Sequence, residues 1–167
     1  MAYTAAMFES KGRMRKGEKP LCACLACDRD QAKIVLGFVR ALFSDVPMLS
    51  EMLVRETAIG FELSNGVEIA VGTNSYRAVR GRPILIACLD EVAFYRDENS
   101  SSPDEEVYRA LVPGTATLSE SMLIGISSPY RKSGLLYRKF SEHFGKDVDD
   151  ILVIRGPTRR LNPTIDD

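Results

Sequence analysis

The chain has 167 residues, of which 45% are hydrophobic and 27% are charged, and its formal net charge is −1 at pH 7. This composition is ordinary for a globular protein, and the length predicts one domain with its own core. A nearly neutral chain gives no global electrostatic reason to bind nucleic acid or a membrane surface. No apolar run approaches the roughly 18 residues of a membrane span, and no signal-peptide core precedes the first predicted strand. We therefore expect a cytoplasmic protein.

The N-terminal part of the chain predicts a helix, a buried strand and a second helix. In chain order these are a helix over 1–8, a basic loop from Ser10 to Pro20, a strand over Leu21–Cys27 and a helix over about 30–43. Asp28 and Asp30 suit the start of the second helix. Its predicted apolar face consists of Ile34, Val35, Phe38, Val39, Leu42 and Phe43.

Three of the four cysteines lie in the first predicted strand, as Cys22, Cys24 and Cys27. The segment is uniformly apolar and lacks the turn residues of a zinc knuckle. Alternation along a strand places Cys22 and Cys24 on one face and Cys27 on the other. Buried, reduced cysteines are therefore the favoured interpretation, because free cysteine is among the most buried residue types. The sequence pattern indicates no functional role for the single histidine, His143.

The middle of the chain predicts a short helix followed by a hairpin. The helix is expected over Leu49–Val54, after Pro47. Apolar residues alternate on both sides of Asn65-Gly66, the dipeptide best suited to a tight turn, and this pattern predicts a β-hairpin over 61–71. An arginine-containing loop, Thr73 to Arg82, then leads into the next strand.

The apolar run Ile84–Leu89 ends abruptly in two adjacent carboxylates, Asp90 and Glu91. A strand buried on both faces has no structural need for charges at its carboxyl end, which is where open α/β sheets place their ligands. Such a pair can hold Mg²⁺ through one acid and orient a water molecule through the other. The alternative is that one of the acids caps the next helix. The run by itself favours neither interpretation.

The C-terminal part predicts two helices and two strands. They are a helix with Ser102 as N-cap and Glu105 as the reciprocal capping residue, a strand over Met122–Ile126, a helix over about 134–144 and a strand over Ile151–Ile154. Strands separated by helices predict a mostly parallel sheet. Ser127 and Ser128 would then share one edge of the sheet with Asp90 and Glu91. This shared edge favours the functional interpretation of the acids.

Five segments follow one another along the chain: ACDRDQA, NGVEI, VRGRP, LDEVAF and SSPYRKSG. In this order they resemble motifs of the ATPase domain of tailed-phage terminase large subunits. ILIACLDEVAFY is similar to a Walker B motif, and LIGISSPYRKSGLLY is similar to the coupling motif that follows it. The resemblance implies an α/β, P-loop NTPase-like fold of the ASCE type, with a mostly parallel sheet flanked by helices and an inserted β-hairpin. Residues 1–155 would form a partial ATPase domain, and 156–167 a linker towards a nuclease domain.

The resemblance also implies roles for the residues at the shared edge. Asp90 would hold the Mg²⁺ that accompanies the nucleotide, and Glu91 would be the general base that orients the attacking water. Ser127 and Ser128 would sense the γ-phosphate and couple its loss to the rest of the motor. Arg80 matches the position of an arginine finger that acts on a neighbouring subunit. Arg77 and Arg82 are two further candidates for the arginine finger.

The implied activity is ATP hydrolysis that drives the packaging of viral DNA into the procapsid. Mg²⁺ and ATP would be the cofactors of the complete protein. Its partners would be double-stranded DNA, the portal protein, the small terminase subunit and copies of the chain in a ring. Arg131, Lys132, Arg138 and Lys139 lie near two tyrosines and suggest a DNA contact, but a solvated helix face is the favoured interpretation.

The sequence departs from the family because it lacks a Walker A motif. None of its 12 glycines lies in a G-x-x-x-x-G-K-[ST] pattern, whose backbone amides and lysine hold the phosphates. We therefore expect a fragment that starts after Walker A, lacks the P-loop strand and ends before the nuclease domain. In such ATPases the missing strand lies between the strands over Met122–Ile126 and Ile151–Ile154. Those two strands would either pair directly or leave an open edge.

Other functions compete with this one on the residues alone. The chain could be a non-catalytic truncated relic or interaction module, or a fragment of another P-loop enzyme such as a helicase. A metal nuclease built on Asp28, Asp90 and Glu91 is a less favoured alternative. In each case the absence of Walker A predicts that this chain by itself neither binds nor hydrolyses ATP.

Overall fold

The computed structural model describes residues 1–74, 79–96, 100–162 and 164. Its helices are α1 (Ala2–Met7), α2 (Arg29–Asp45), α3 (Pro47–Ser50), α4 (Pro103–Thr115), α5 (Gly134–His143) and α6 (Thr158–Leu161). Its strands are β1 (Leu21–Ala26), β2 (Leu53–Thr57), β3 (Gly60–Leu63), β4 (Glu68–Thr73), β5 (Ile84–Asp90) and β6 (Met122–Ile126). Within these described ranges, no helix has the length and hydropathy to cross a membrane.

The six strands form one sheet in the order β2-β3-β4-β1-β5-β6. Strands β4, β1, β5 and β6 are parallel, whereas β2 and β3 join the sheet as an antiparallel extension. All of β1 and most of β5 are buried, because helices cover both faces of the central strands. The predicted α/β fold with a mostly parallel sheet is confirmed.

The cysteines follow the predicted alternation along β1. Cys22 and Cys24 lie in the cores on the α2 face of the sheet, and Cys27 packs against the core on the opposite face. All four cysteines, Cys88 included, are free thiols. Burial raises the pKa of Cys22 and of Cys24 to about 12. Both thiols are therefore protonated, and poorly nucleophilic, at neutral pH.

Helix α2 buries only part of its predicted apolar face. Val39 and Phe43 are buried, but Ile34, Phe38 and Leu42 are 53%, 70% and 47% exposed. Neighbouring residues on a helix point about 100° apart. The buried residues therefore form one stripe against the sheet, and the exposed ones form a second stripe beside it. The prediction that both stripes face the core is wrong.

The predicted helix over Leu49–Val54 is also wrong. Helix α3 ends at Ser50, and β2 begins at Leu53 and pairs antiparallel with β3. Pairing with β3 supplies backbone hydrogen-bond partners that a helix of a single turn cannot supply. Long-range pairing thus overrides the local pattern, which is common where strand formation depends on the neighbouring strand.

The predicted hairpin between β3 and β4 is confirmed, and its turn residue also holds α1. The connecting loop 64–67 has Gly66 in the left-handed region at φ 84°, as a hairpin with a bulged turn requires. Asn65 Nδ2 donates hydrogen bonds to the carbonyls of Ala5, Ala6 and Phe8 at the end of α1. The turn therefore satisfies helix carbonyls that would otherwise lack partners.

The predicted strand over Ile151–Ile154 is wrong. The segment has no regular structure, and Leu152 and Ile154 are 83% and 73% exposed. Strand β6 is the last in the sheet, so of the two expected arrangements the structure has the open edge. An isolated extended segment is not stable without a strand to pair with. The tail beyond it contains α6, within the predicted linker 156–167.

The start of α4 differs from the predicted capping box. Ser102 is the N-cap residue, but its side chain makes no capping hydrogen bond. Glu105 instead accepts two hydrogen bonds from Arg138 of α5, each at 2.8 Å. A bidentate charged pair is stronger than one neutral bond, and it lowers the pKa of Glu105. Lys139 lies over the Tyr108 ring at 4.9 Å, so part of the basic patch contacts the protein itself.

Replacing Gly37 with alanine is expected to stabilise the fold by about 0.5–1 kcal/mol. Gly37 lies inside α2, and a Cβ there meets nothing within 4 Å. The gain comes from reduced backbone entropy in the unfolded chain. Thermal unfolding followed by circular dichroism would measure it, with Ala41→Gly on the exposed side of α2 as the reverse control. A lower melting temperature for Gly37→Ala would contradict the prediction.

Candidate functional site

The candidate site lies where β1, β5 and β6 end, because these parallel strands finish at one edge of the sheet. Leu25 of β1 is level with Leu89 of β5, and Asp90 is level with Ile126 of β6. The residues that follow each strand therefore come together. This is the edge at which open α/β sheets bind ligands.

Asp90 ends β5 and is half-buried. Gln31 in the first turn of α2 donates a hydrogen bond from Nε2 to Asp90 Oδ2, at 3.0 Å. Among the described residues, none donates a hydrogen bond to the other oxygen, Oδ1. One oxygen of Asp90 is thus held by Gln31, which makes Oδ1 the candidate atom for binding a ligand.

Glu91 adopts a backbone conformation that glycine usually occupies, with φ 52° and ψ 43°. It is the one non-glycine residue with positive φ in the part of the chain that the structure describes. Such a conformation costs a side chain on the order of 1 kcal/mol and is often found at functional sites.

Ser127, directly after β6, supports this turn. Its hydroxyl donates to Glu91 Oε2 at 3.1 Å and accepts from the backbone N–H of Ala93 at 3.2 Å. The hydroxyl thus links the end of β6 to the turn after β5. Among the described residues, none donates a hydrogen bond to the second carboxylate oxygen of Glu91.

Of the acids near this edge, Asp28 caps a helix and Glu91 does not. Glu91 makes no side-chain capping bond to the 3₁₀ turn Val92–Phe94, so helix capping does not explain it. Asp28 does cap a helix, because its Oδ1 accepts from the N–H groups of Asp30 and Gln31, both at 2.9 Å. These bonds lower the pKa of Asp28, the bond from Gln31 most of all.

The remaining sequence-predicted residues differ in exposure and in their contacts. Ser128 is exposed, unlike Ser127, which is half-buried. Arg80 is exposed in the loop before β5 and forms no ion pair with any residue between 1–74, 79–96 and 100–162. Arg82 donates two hydrogen bonds to the carboxylate of Glu68, with nitrogen–oxygen distances of 3.1 and 2.6 Å. Arg77 lies outside the described residues.

Two residues at this edge were not predicted from the sequence. Gln31 was assigned only to a helix, although it lies within the ACDRDQA segment. Tyr95 is buried, and its hydroxyl donates to the carbonyl of Leu25 at 2.5 Å. This bond ties the loop after β5 to the end of β1. Burial raises the pKa of Tyr95 strongly, so the phenol stays protonated.

The donor set at this edge fits Mg²⁺ that arrives with phosphate ligands. Asp90 and Glu91 supply carboxylate oxygens, which Mg²⁺ prefers. Across the described ranges, no group of three or more His, Cys, Asp or Glu residues is arranged to hold a metal by itself. Mg²⁺ commonly binds through one or two carboxylates, with phosphates and water completing its shell. Asp90 Oδ1, to which no described residue donates a hydrogen bond, matches that requirement.

Comparison with known proteins shows a likeness to solved structures but none to a family model. No protein-family model matches the sequence, and no curated protein does either. The structure is similar to the crystal structure of the HK97 bacteriophage large terminase, with a TM-score of 0.49 and 22% sequence identity. The match covers 66% of this chain and 22% of that protein. The activity and partners of the whole terminase are therefore proposals for this chain.

Proposed function

We propose that this chain is part of the ATPase motor domain of a phage terminase large subunit, which couples ATP hydrolysis to the packaging of viral DNA. One observation carries the proposal: Asp90 ends β5, and Glu91 directly after it accepts a hydrogen bond from Ser127, which follows β6. The order of the ACDRDQA, LDEVAF and SSPYRKSG segments supports it. Glu91 and its hydroxyl partner thus come from two segments that the resemblance treats as separate motifs.

In this proposal the two acids have different tasks. When bound, Mg²⁺ would neutralise charge on the phosphates during phosphoryl transfer. Asp90 would hold that ion through the oxygen that Gln31 leaves free. Glu91 would take the proton of the attacking water through the oxygen that Ser127 leaves free. Gln31 orients the carboxylate of Asp90, and Ser127 orients that of Glu91. The two acids can therefore have different roles.

The bond between Ser127 and Glu91 also supports a coupling role for the segment after β6. A displacement of that segment would move the hydroxyl that holds the general base. Because Ser128 is exposed, it would contribute to coupling through Ser127. Arg80 is exposed as well, so its finger role would be directed at the site of a neighbouring copy in a ring. Double-stranded DNA, the portal protein and the small terminase subunit are the further partners we propose.

The phosphate-binding half of the ATPase site has no counterpart in the sequence, since a Walker A pattern is absent. We therefore expect no detectable heat of binding when this chain is titrated with Mg·ATP. Joining a P-loop strand and helix ahead of Met1 should create micromolar binding and measurable ATP hydrolysis. Replacing the lysine of the added P-loop with alanine is the control, and it should remove the binding.

Two results would contradict the proposal. One is micromolar binding of Mg·ATP to the chain as it is, because the site would then not depend on a P-loop. The other is a folded, extended protein that still fails to bind Mg·ATP. The second result would favour the alternative, a non-catalytic interaction module.

A further inference from the structure

Gln31 joins the first turn of α2 to the end of β5 through a single hydrogen bond. Its side-chain amide contacts Asp90 Oδ2 at 3.0 Å, although 59 positions separate the two residues in the chain. Both side chains are half-buried. We infer that Gln31 is a positioning residue, which orients Asp90 towards a divalent cation. This inference rests on the proposed function, because it assumes that Asp90 is the cation ligand.

The position of Gln31 is itself fixed by the cap of α2. Asp28 Oδ1 accepts the backbone N–H of Gln31 at 2.9 Å, and that of Asp30 at the same distance. A continuous set of contacts therefore runs from the end of β1, through the first turn of α2, to Asp90. With the Gln31 backbone held, its amide can hold one oxygen of Asp90 steadily.

The chemistry of an amide suits this task better than that of a cationic side chain. An amide N–H orients a carboxylate without cancelling its negative charge, whereas lysine or arginine would form an ion pair and compete with a metal. The hydrogen-bond donor to Glu91 is likewise neutral, because it is the hydroxyl of Ser127. No described lysine or arginine forms a salt bridge with Asp90 or Glu91. Within the described part of the chain, no protein cation therefore competes with a metal ion for either acid.

The inference can be tested with Mn²⁺, which broadens the NMR signals of nuclei near it strongly enough to detect the weak binding that two carboxylates give without phosphate ligands. The full chain would be labelled with ¹⁵N and titrated with Mn²⁺, and the backbone amides of 89–92 and of Ser127 would be followed. We expect broadening centred on Asp90, and we expect Asp90→Asn to remove it. Gln31→Met keeps the length of the side chain but removes the donor. It should require roughly 10-fold more Mn²⁺, which is typical when the partner of a metal ligand is lost.

The controls separate a positioning role from a structural one. Ser44→Ala, at an exposed position of α2, should leave the Mn²⁺ titration unchanged. An unchanged titration for Gln31→Met, with or without a lower melting temperature, would overturn the inference and leave the proposed function standing. If Gln31→Met does not fold, Gln31→Ser removes the same contact and carries the same expectation. Mn²⁺ broadening that is absent, or that survives Asp90→Asn, would overturn both the inference and the metal role of Asp90.

Discussion

Replacing Glu91 with glutamine should reduce ATP turnover at least about 100-fold in the protein extended by a P-loop segment, while Mg·ATP binding persists. Glutamine keeps an oxygen that accepts the Ser127 hydroxyl, which lies 3.1 Å from Glu91, so the turn after β5 is retained. It cannot accept a proton at neutral pH, and loss of a general base commonly costs 10²-fold or more, on the order of 3 kcal/mol in the barrier. Single-turnover kinetics together with calorimetric nucleotide binding would separate the two effects.

The matched control for this change is Glu106→Gln, which makes the same substitution at an exposed position of α4. It should leave both turnover and binding unchanged. If Glu91→Gln retained turnover, another group would have to act as the base. If the variant lost nucleotide binding as well, Glu91 would be needed to assemble the site, and the separate roles proposed for the two acids would be wrong.

Replacing Gly60 with alanine is expected to destabilise the fold by about 3 kcal/mol or more, the upper end of the range for overpacking. A Cβ at this position would lie 1.8 Å from the carbonyl oxygen of Ile69 and 2.8 Å from its carbonyl carbon. Both are backbone atoms of β4, which pairs with β3. No side-chain rotation can relieve the overlap, so the two strands must move apart.

Urea unfolding of Gly60→Ala and of Gly72→Ala would test this expectation. Gly72 lies in β4, and a Cβ there meets nothing within 4 Å. The control should therefore change the free energy of unfolding by less than about 0.5 kcal/mol. Equal stability of the two variants would show that β3 and β4 tolerate a wider separation than the structure has. Complete unfolding of Gly60→Ala alone would agree with the prediction.

The acids of the site were predictable because their signal is local. Asp90 and Glu91 follow an apolar run directly, and such a run reads as a strand buried on both faces whatever its neighbours are. The same holds for β1, for β6 and for the turn at Gly66. In each case the residues that define the element lie within a few positions of one another.

The contacts that orient the acids were not predictable, because their partners are distant in sequence. Gln31 reaches Asp90 across 59 positions, and Ser127 reaches Glu91 across 36. The sequence pattern also treated Ser127 and Ser128 alike, whereas the two differ in exposure. Only the pairing of β5 with β6 brings Ser127 to Glu91.

The two mistaken elements have the same origin. The pattern of Leu49–Val54 is compatible with a helix, and β2 forms there because β3 offers it a partner. The apolar segment Ile151–Ile154 is compatible with a strand, but no neighbouring strand pairs with it in the part of the chain described. The sequence by itself therefore determined the apolar strands and the adjacent acids, which depend on local pattern. Tertiary structure alone decided which segments pair and which oxygen of each acid accepts a hydrogen bond from Gln31 or Ser127, because hydrogen bonds need partners that only folding brings within reach.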